Sequence, residues 1–313
     1  MADPNVGLLL TTTLKNYRKT LVDNIHKSNA VFFWLKENGG LKTESGGERI
    51  SVPLMYGKNS TAQSYAGYEA LDTTPQTGID SAEYNWKQYS VSISISGEEE
   101  RKNSGSQKLI DILDARTRQA EMSLTEKLST DLFSDGTGNA GKNLTGLEAM
   151  VAATGTYGGI NSGTYTWWQA YVESTAEALG LPKMRTAFNT ASVGGKDTPN
   201  LIVTTQALFE KYEGLLTATI QTTSEARKKL GDAGFQSLEF KGVPIVWDEL
   251  APSGTMYFLN TKHMKLIVHK EANFETTEFV KPENQDARVA QVLVMGNLTC
   301  DRRKSFSKLT AKT

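Results

Sequence analysis

The residues of this 313-residue sequence best equipped for chemistry are three histidines, one cysteine and a glycine-rich loop that ends in lysine. Catalysis needs a nucleophile, a base or a metal held in fixed geometry, so such residues carry meaning only in the pattern around them. His26 sits in a charged stretch with helical period, and His263 and His269 flank a stretch with strand period, which places all three on surface or sheet-face positions. No HExxH segment, GxSxG turn or CxxC pair is present, so zincin, hydrolase-elbow and thiol-redox chemistry lack their sequence contexts. Cys300 stands alone, which excludes an intrachain disulfide and a cysteine-rich zinc site. No cofactor or metal is expected.

The loop Gly136-Thr137-Gly138-Asn139-Ala140-Gly141-Lys142 matches a phosphate loop only in part. Asn143 stands where the magnesium-binding Ser or Thr belongs, and the loop follows a helix pattern instead of a strand. It reads as the turn that stops that helix. Asp248-Glu249, after the apolar Val243 to Trp247, is the best carboxylate pair, and a solvated strand end explains it equally well. Arg302-Arg303-Lys304 reads as a solvated basic face near the terminus. With 34 Lys+Arg against 35 Asp+Glu, the net charge of -1 removes the positive surplus behind sequence-independent phosphate binding. The early apolar run Val6 to Leu10 is too short for a signal-peptide core or a membrane span, so no membrane partner is expected.

The elements around these residues are better defined than any site. Leu14, Tyr17, Leu21, Ile25 and Ala30 recur at mostly three- and four-residue intervals, predicting an amphipathic helix that runs into Val31-Phe32-Phe33-Trp34-Leu35 and stops at Asn38-Gly39-Gly40. Either this helix packs on its own domain or it is an arm that reaches a neighbouring subunit. Period-two stretches at 49–57 and 84–96 predict two strands. Between them lies a long connection rich in Gly, Ser and Thr that also carries Tyr65, Tyr68 and Leu71. Connections of that length are uncommon in compact domains, and aromatic residues argue against plain disorder. The expectation is a projecting hairpin that docks on something else.

From Gln107 to Phe133 a stripe of Leu109, Leu113, Ala120, Leu124, Leu128 and Leu132 runs without Gly or Pro, a helix of about 40 Å at 1.5 Å per residue. Beyond it the pattern predicts helices at about 167–179 and 182–189, a strand at 200–204 and a helix at 207–216. A strand, turn and strand follow at 238–247, turning at Lys241-Gly242. Further strands are predicted at 256–259, 266–269, 274–280 and 287–300. The fold class is α+β, with no internal repeat.

This order of parts resembles the major capsid proteins of tailed bacteriophages that share the HK97 coat-protein fold. The resemblance rests on helical arm, long hairpin, one unbroken helix, mixed domain and final strand. Several segments carry it: Gly242-Val243-Pro244-Ile245-Val246 followed by Pro252 to Asn260, the junction from Leu132-Phe133 to Gly146-Leu147, Trp167-Trp168, and Gly296-Asn297-Leu298-Thr299 with Arg302-Arg303. The resemblance covers nearly the whole chain.

It implies an N-terminal arm at 1–43, an extended hairpin (the E-loop) at 44–100, and a P-domain at 101–164 with a spine helix at 105–134. An A-domain at 165–285 and a C-terminal strand at 286–313 returning to the P-domain complete it. It also implies a coat protein that assembles through hexamers and pentamers into an icosahedral phage head. Its partners would then be copies of itself, with scaffolding, portal and decoration proteins as further candidates. The head would enclose DNA without specific binding, placing the protein in the virion after assembly in the host cytoplasm. Tyr17, Phe33, Trp34, Tyr65, Tyr68, Leu71 and Trp86 are the expected inter-subunit contacts. The arm begins within ten residues of the start, so a separate scaffold, or none, is expected. Two alternatives stay open: an encapsulin-like nanocompartment shell, and an enzyme using the Gly136–Lys142 loop for a nucleotide.

Overall fold

The structure is a computed structural model that describes residues 30–102, 106–216 and 237–313. The first element among the described residues, helix α1 (Ala30–Glu37), ends as Asn38-Gly39-Gly40 predicts. Gly39 takes a left-handed φ of 67°, and the Gly40 amide reaches back to the Leu35 carbonyl at 2.6 Å, closing the last turn. The preceding part of the expected arm, including Tyr17 and His26, lies outside the described residues.

Strand β1 (Leu41–Glu44) leads into the hairpin of β2 (Ile50–Met55) and β3 (Ile79–Tyr84), which pair antiparallel from Ile50↔Tyr84 to Met55↔Ile79. Strand β4 (Lys87–Ser96) then runs into a short helix α2 (Gly97–Lys102), where the charge run Glu98-Glu99-Glu100 sits in the first turn, the favourable end for acidic residues. Ser96 and Glu99 cap it reciprocally: the Glu99 amide donates to Ser96 Oγ at 3.2 Å and the Ser96 amide donates to the Glu99 carboxylate at 3.3 Å.

The long helix α3 (Ser106–Leu132) lies across β4. It buries Ala120, Leu124, Leu128 and Leu132 at four-residue spacing, each leucine worth about 1.5–3 kcal/mol of apolar burial. Arg116 ties it to the sheet by donating to the Ser94 carbonyl and pairing with Glu99 at 2.6 Å. Two glycines then fold the chain back on the helix end. Gly136 has φ +81°, and a Cβ on Gly146 would stand 2.3 Å from the Leu132 carbonyl oxygen. Helix α4 (Leu147–Met150) and the two-residue strands β5 (Thr156–Tyr157) and β6 (Ile160–Asn161) follow.

The remaining elements are β7 (Tyr171–Glu173), α5 (Leu181–Ala191), β8 (Leu201–Thr204), α6 (Gln206–Leu215), β9 (Ser237–Phe240), β10 (Val243–Trp247), β11 (Met256–Leu259), β12 (Met264–Thr276), β13 (Ala287–Cys300) and β14 (Ser307–Leu309). They complete two main sheets. One has four strands in the order β1-β12-β13-β4 beside α3, and the other has six in the order β7-β14-β11-β8-β10-β9. A large core joins the inner faces of both, and a second cluster around Phe188, Phe209, Tyr212 and Phe258 lies between the six-stranded sheet and helices α5 and α6.

The helix predicted at about 167–179 is not formed. Its place holds a single 3-10 turn at Thr166–Trp168 and then β7. Two distant partners override the local pattern: Trp168 donates its indole N–H to the Tyr157 carbonyl at 2.9 Å, and β7 pairs parallel with β14 near the far end of the chain. The strands predicted at 266–269 and 274–280 merge into β12, whose register against β13 shifts between Val268 and Asn273 and again by Glu275. Phe274 there has φ +53°, the signature of a bulge that keeps its ring in the core while extra residues are taken up.

Candidate assembly surface

The hairpin is anchored at its root and bare at its tip. At the root, Ile50, Leu54, Ala82 and Tyr84 are buried, and the Tyr84 hydroxyl donates to the Cys300 carbonyl at 2.8 Å. The Glu83 amide donates to Gly158 at 3.0 Å, and the Tyr56 ring stacks on Trp167 with centroids 4.9 Å apart. Above this the two backbones pinch together. The Tyr56 and Gly57 amides both donate to the Gly78 carbonyl, and a Cβ on Gly57 would come within 3.0 Å of Gly78 Cα.

Residues 58–78 form no regular strand or helix, yet they have internal order. Ser60 Oγ donates to Gln76 Oε1 at 2.9 Å across the loop, while Asn59 and Asp72 accept from the amides two residues on, at Thr61 and Thr74. The tip's apolar side chains are left uncovered by the chain itself: Tyr65 is 63% exposed, Leu71 56%, and Tyr68 has lost no surface at 108%. Met55 and Ile79, a directly opposed pair at the outer end of the hairpin strands, are exposed as well. Large apolar side chains exposed beyond a two-stranded stem make a surface suited to burial against another molecule.

The other expected contact residues have different surroundings. Trp34 is 6% exposed and packs in the chain's own core, because the face of α1 that carries Val31, Trp34 and Leu35 turns inward. Trp86 is half-buried at the hairpin root, donates to the Gly47 carbonyl at 2.9 Å and meets His269 edge to face. Phe33 lies within α1.

The residues singled out for chemistry mostly serve structure. The Cys300 thiol is fully buried, which pushes its pKa up and disfavours the thiolate. Asp248 is buried at the end of β10, where its carboxylate accepts from the Leu250 amide at 3.0 Å; burial raises its pKa and the hydrogen bond works the other way. In the Gly136–Lys142 loop the Gly141, Lys142 and Asn143 amides donate to the Thr137, Asn139 and Gly138 carbonyls. A phosphate cradle needs such amides turned outward, and here three are spent within the loop.

The expectation of a solvated face at Arg302-Arg303-Lys304 is corrected. Arg303 is only 1% exposed, and its guanidinium donates to the carbonyls of Ala149, Met150, Ala152 and Trp168 at 2.9–3.2 Å. Burial lowers its pKa, and the Tyr157 ring lies 5.3 Å from the charge. Arg302 pairs with Asp197 at 3.3 Å, and Lys304 remains exposed. A charge triplet reads as a solvated face only while long-range partners are unknown. Here the end of α4 supplies carbonyls that an arginine satisfies from a distant strand end.

Among the described residues, three connections carry the chain between the part holding the four-stranded sheet and α3 and the part holding the six-stranded sheet: Trp168–Ala170 before β7, Asn260–His263 between β11 and β12, and Asp301–Phe306 between β13 and β14. Arg303 ties the third of these to the first. His263 ties the second to the third, with Nδ1 2.6 Å from Asp301 Oδ1, and its Nε2 is 2.7 Å from Asp197 Oδ2. Lys308 and Lys312, buried in the last segment, pair with Glu148 at 2.6 Å and with Glu177 at 3.0 Å.

No protein-family model and no curated protein matches the sequence. Its structure is similar to those of shell proteins. The capsid asymmetric unit of cyanophage A-1(L) matches with a TM-score of 0.64 at 19% identity, over 87% of this chain and 90% of that one. The capsid of an empty GTA particle matches at 0.60 and 10% identity, over 89% and 96%. The holo-SrpI encapsulin complex of Synechococcus elongatus PCC 7942 matches at 0.52 and 12% identity, over 89% and 87%. The chain therefore has the α+β fold of HK97-like capsid proteins, as the sequence resemblance implied. Among the described residues, no helix is long and apolar enough to cross a membrane.

Proposed function

We propose that this chain is a major capsid protein: a coat subunit that assembles through hexamers and pentamers into an icosahedral phage head enclosing double-stranded DNA. The observation that carries the reading is the hairpin, anchored by Tyr56, Ala82 and Tyr84 yet presenting Tyr65, Tyr68 and Leu71 to solvent. A closed shell is built from heterologous contacts repeated around rings, and an extended element that overlaps the next subunit supplies one. Near-zero net charge fits dense packing of identical copies, which a large charge would oppose.

From the strand pairing we infer a domain grouping that differs from the one the resemblance implies. We group β1, β4, β12 and β13 with the spine helix α3 as the P-domain, and the six-stranded sheet with α5 and α6 as the A-domain. The segment 264–276 then belongs to the P-domain, and the last strand, β14, to the A-domain. Copies of the chain are the main partners, with scaffolding, portal and decoration proteins as further candidates, and the virion is the proposed location.

The likeness to an encapsulin favours one second reading, a shell that encloses cargo proteins. Electron microscopy of the purified full chain, with co-expressed scaffold where needed, tests both. Closed shells support a coat role and persistent monomers overturn it; packaged DNA separates the phage head from a cargo compartment. Replacing residues 60–76 with a short Gly-Asn turn is expected to leave a folded monomer that no longer assembles. Normal shells from that variant would remove the hairpin from the mechanism.

A further inference from the structure

His263 lies at the junction between the two main sheets, with a carboxylate at each ring nitrogen. Its ring is held in the short turn Thr261–His263, the passage from the six-stranded sheet to the four-stranded one. Asp301 lies on the return passage, and Asp197 lies on the approach to β8. Both ring nitrogens are within 2.7 Å of a carboxylate oxygen. A neutral imidazole has one N–H and one lone pair, so it can donate to only one of the two. The other nitrogen would then face a carboxylate with lone pair against lone pair. Only the imidazolium, with two N–H groups, satisfies both at these distances.

We propose that Asp197, His263 and Asp301 form a proton-held latch between the P-domain and the A-domain, closed while the imidazole carries both protons and released on one side when it loses one. The surroundings fit this use. Asp197 is further held by Asn260 Nδ2 at 2.6 Å and by Arg302 at 3.3 Å, so it stays in place when the imidazole withdraws. A groove of about 160 Å³ beside the ring carries Lys42 and Glu44 from β1, Lys265 from β12 and Cys300 from β13, and gives the imidazole a route to solvent. Asp301 is the stronger influence on the ring. Its hydrogen bond, and then that of Asp197, raise the histidine above its ordinary value against the opposing effect of burial. For Asp197, burial raises the pKa, but the bonds from His263 and Asn260 outweigh it and the net shift is downward.

The sign follows from linkage. A histidine raised in the closed state contributes fully below its ordinary pKa of about 6.5, and the contribution is lost as pH rises through the raised value. A lowered aspartate contributes above its ordinary value and is lost as pH falls through the lowered one. The latch is therefore closed in mildly acidic solution and opens as pH rises through the raised value of the histidine. This depends on a single subunit's junction and holds whichever shell reading is correct.

Hydrogen exchange on the full chain, corrected for the intrinsic pH dependence of amide exchange, tests it on peptides spanning 193–200, 260–264 and 300–303. In the wild type the local opening constant is expected to rise by up to about tenfold per pH unit between about pH 6.5 and the raised midpoint, then level off. His263→Gln is expected to give a flat profile, and Asp197→Asn a rise that ends at lower pH. A flat wild-type profile, or the same rise in His263→Gln, overturns the proposal. Nitrogen-15 chemical shifts of the wild-type imidazole, followed through a pH titration, are a readout independent of variant folding: a midpoint above the ordinary value of about 6.5 supports the latch, and a midpoint at or below it overturns it.

Discussion

Arg303 donates from Nη1 to the main-chain oxygen of Trp168, 3.2 Å away, and thereby joins the first and last passages of the chain between its two main sheets. The same guanidinium takes up three more carbonyls at the end of α4. Arg303→Met is expected to leave those acceptors buried without donors and to cost about 3 kcal/mol or more, since each unsatisfied buried group costs about 1–3 kcal/mol. Arg303→Lys keeps the charge but cannot match four acceptors from one planar fork, so its loss should be intermediate. Urea unfolding of the unassembled subunit measures both, and equal stability for Met and wild type would refute the clamp.

At the hairpin tip the prediction is the reverse, a large effect on association with almost none on folding. Tyr68 touches so little of its own chain that Tyr68→Ser, alone or with Tyr65→Ser, should change subunit stability by no more than about 0.5 kcal/mol. Assembly, followed by sedimentation velocity, should shift strongly toward free subunits. If the double variant assembled at the wild-type concentration, these rings would not lie in a contact.

Gly146 is required by space and not by backbone angle, because its φ is an ordinary -89°. A Cβ there would meet the Leu132 carbonyl oxygen at 2.3 Å and the Asp131 oxygen at 2.4 Å. Gly146→Ala must push the chain off the end of the long helix and is expected to cost about 1–3 kcal/mol, as overpacking does. Ala at Gly141, which has open space, tests the alternative: it meets only the cost of its φ of +78°, about 1 kcal/mol. Thermal unfolding of the two variants separates crowding from backbone strain.

Elements with strong local signals are legible in the sequence alone. The alternation of Tyr89, Val91, Ile93 and Ile95 becomes β4, the leucine stripe becomes α3 within a residue at each end, and Lys241-Gly242 becomes a turn with both φ angles positive. The hairpin's exposed tip was legible too, because Tyr65, Tyr68 and Leu71 sit in a connection too long and too polar to be core. What failed locally was the stretch 167–179, whose spacing suits a helix but whose backbone is claimed by β14. Trp34, in an apolar cluster equally suited to a neighbour, is held instead by its own core.

Arg303 and His263 show where the boundary lies. By itself the sequence determined periodicity, the stops at glycine, the near balance of charge and the order of parts, because each depends on residues a few positions apart. Only the tertiary structure decided that Arg303 is buried beneath carbonyls from 149–168 and that His263 sits between Asp197 and Asp301. The physical reason is that a charge takes its role from whatever lies within a few ångströms. Those partners are brought there by strand pairing across more than a hundred residues, as in β14 with β7, which no local pattern encodes.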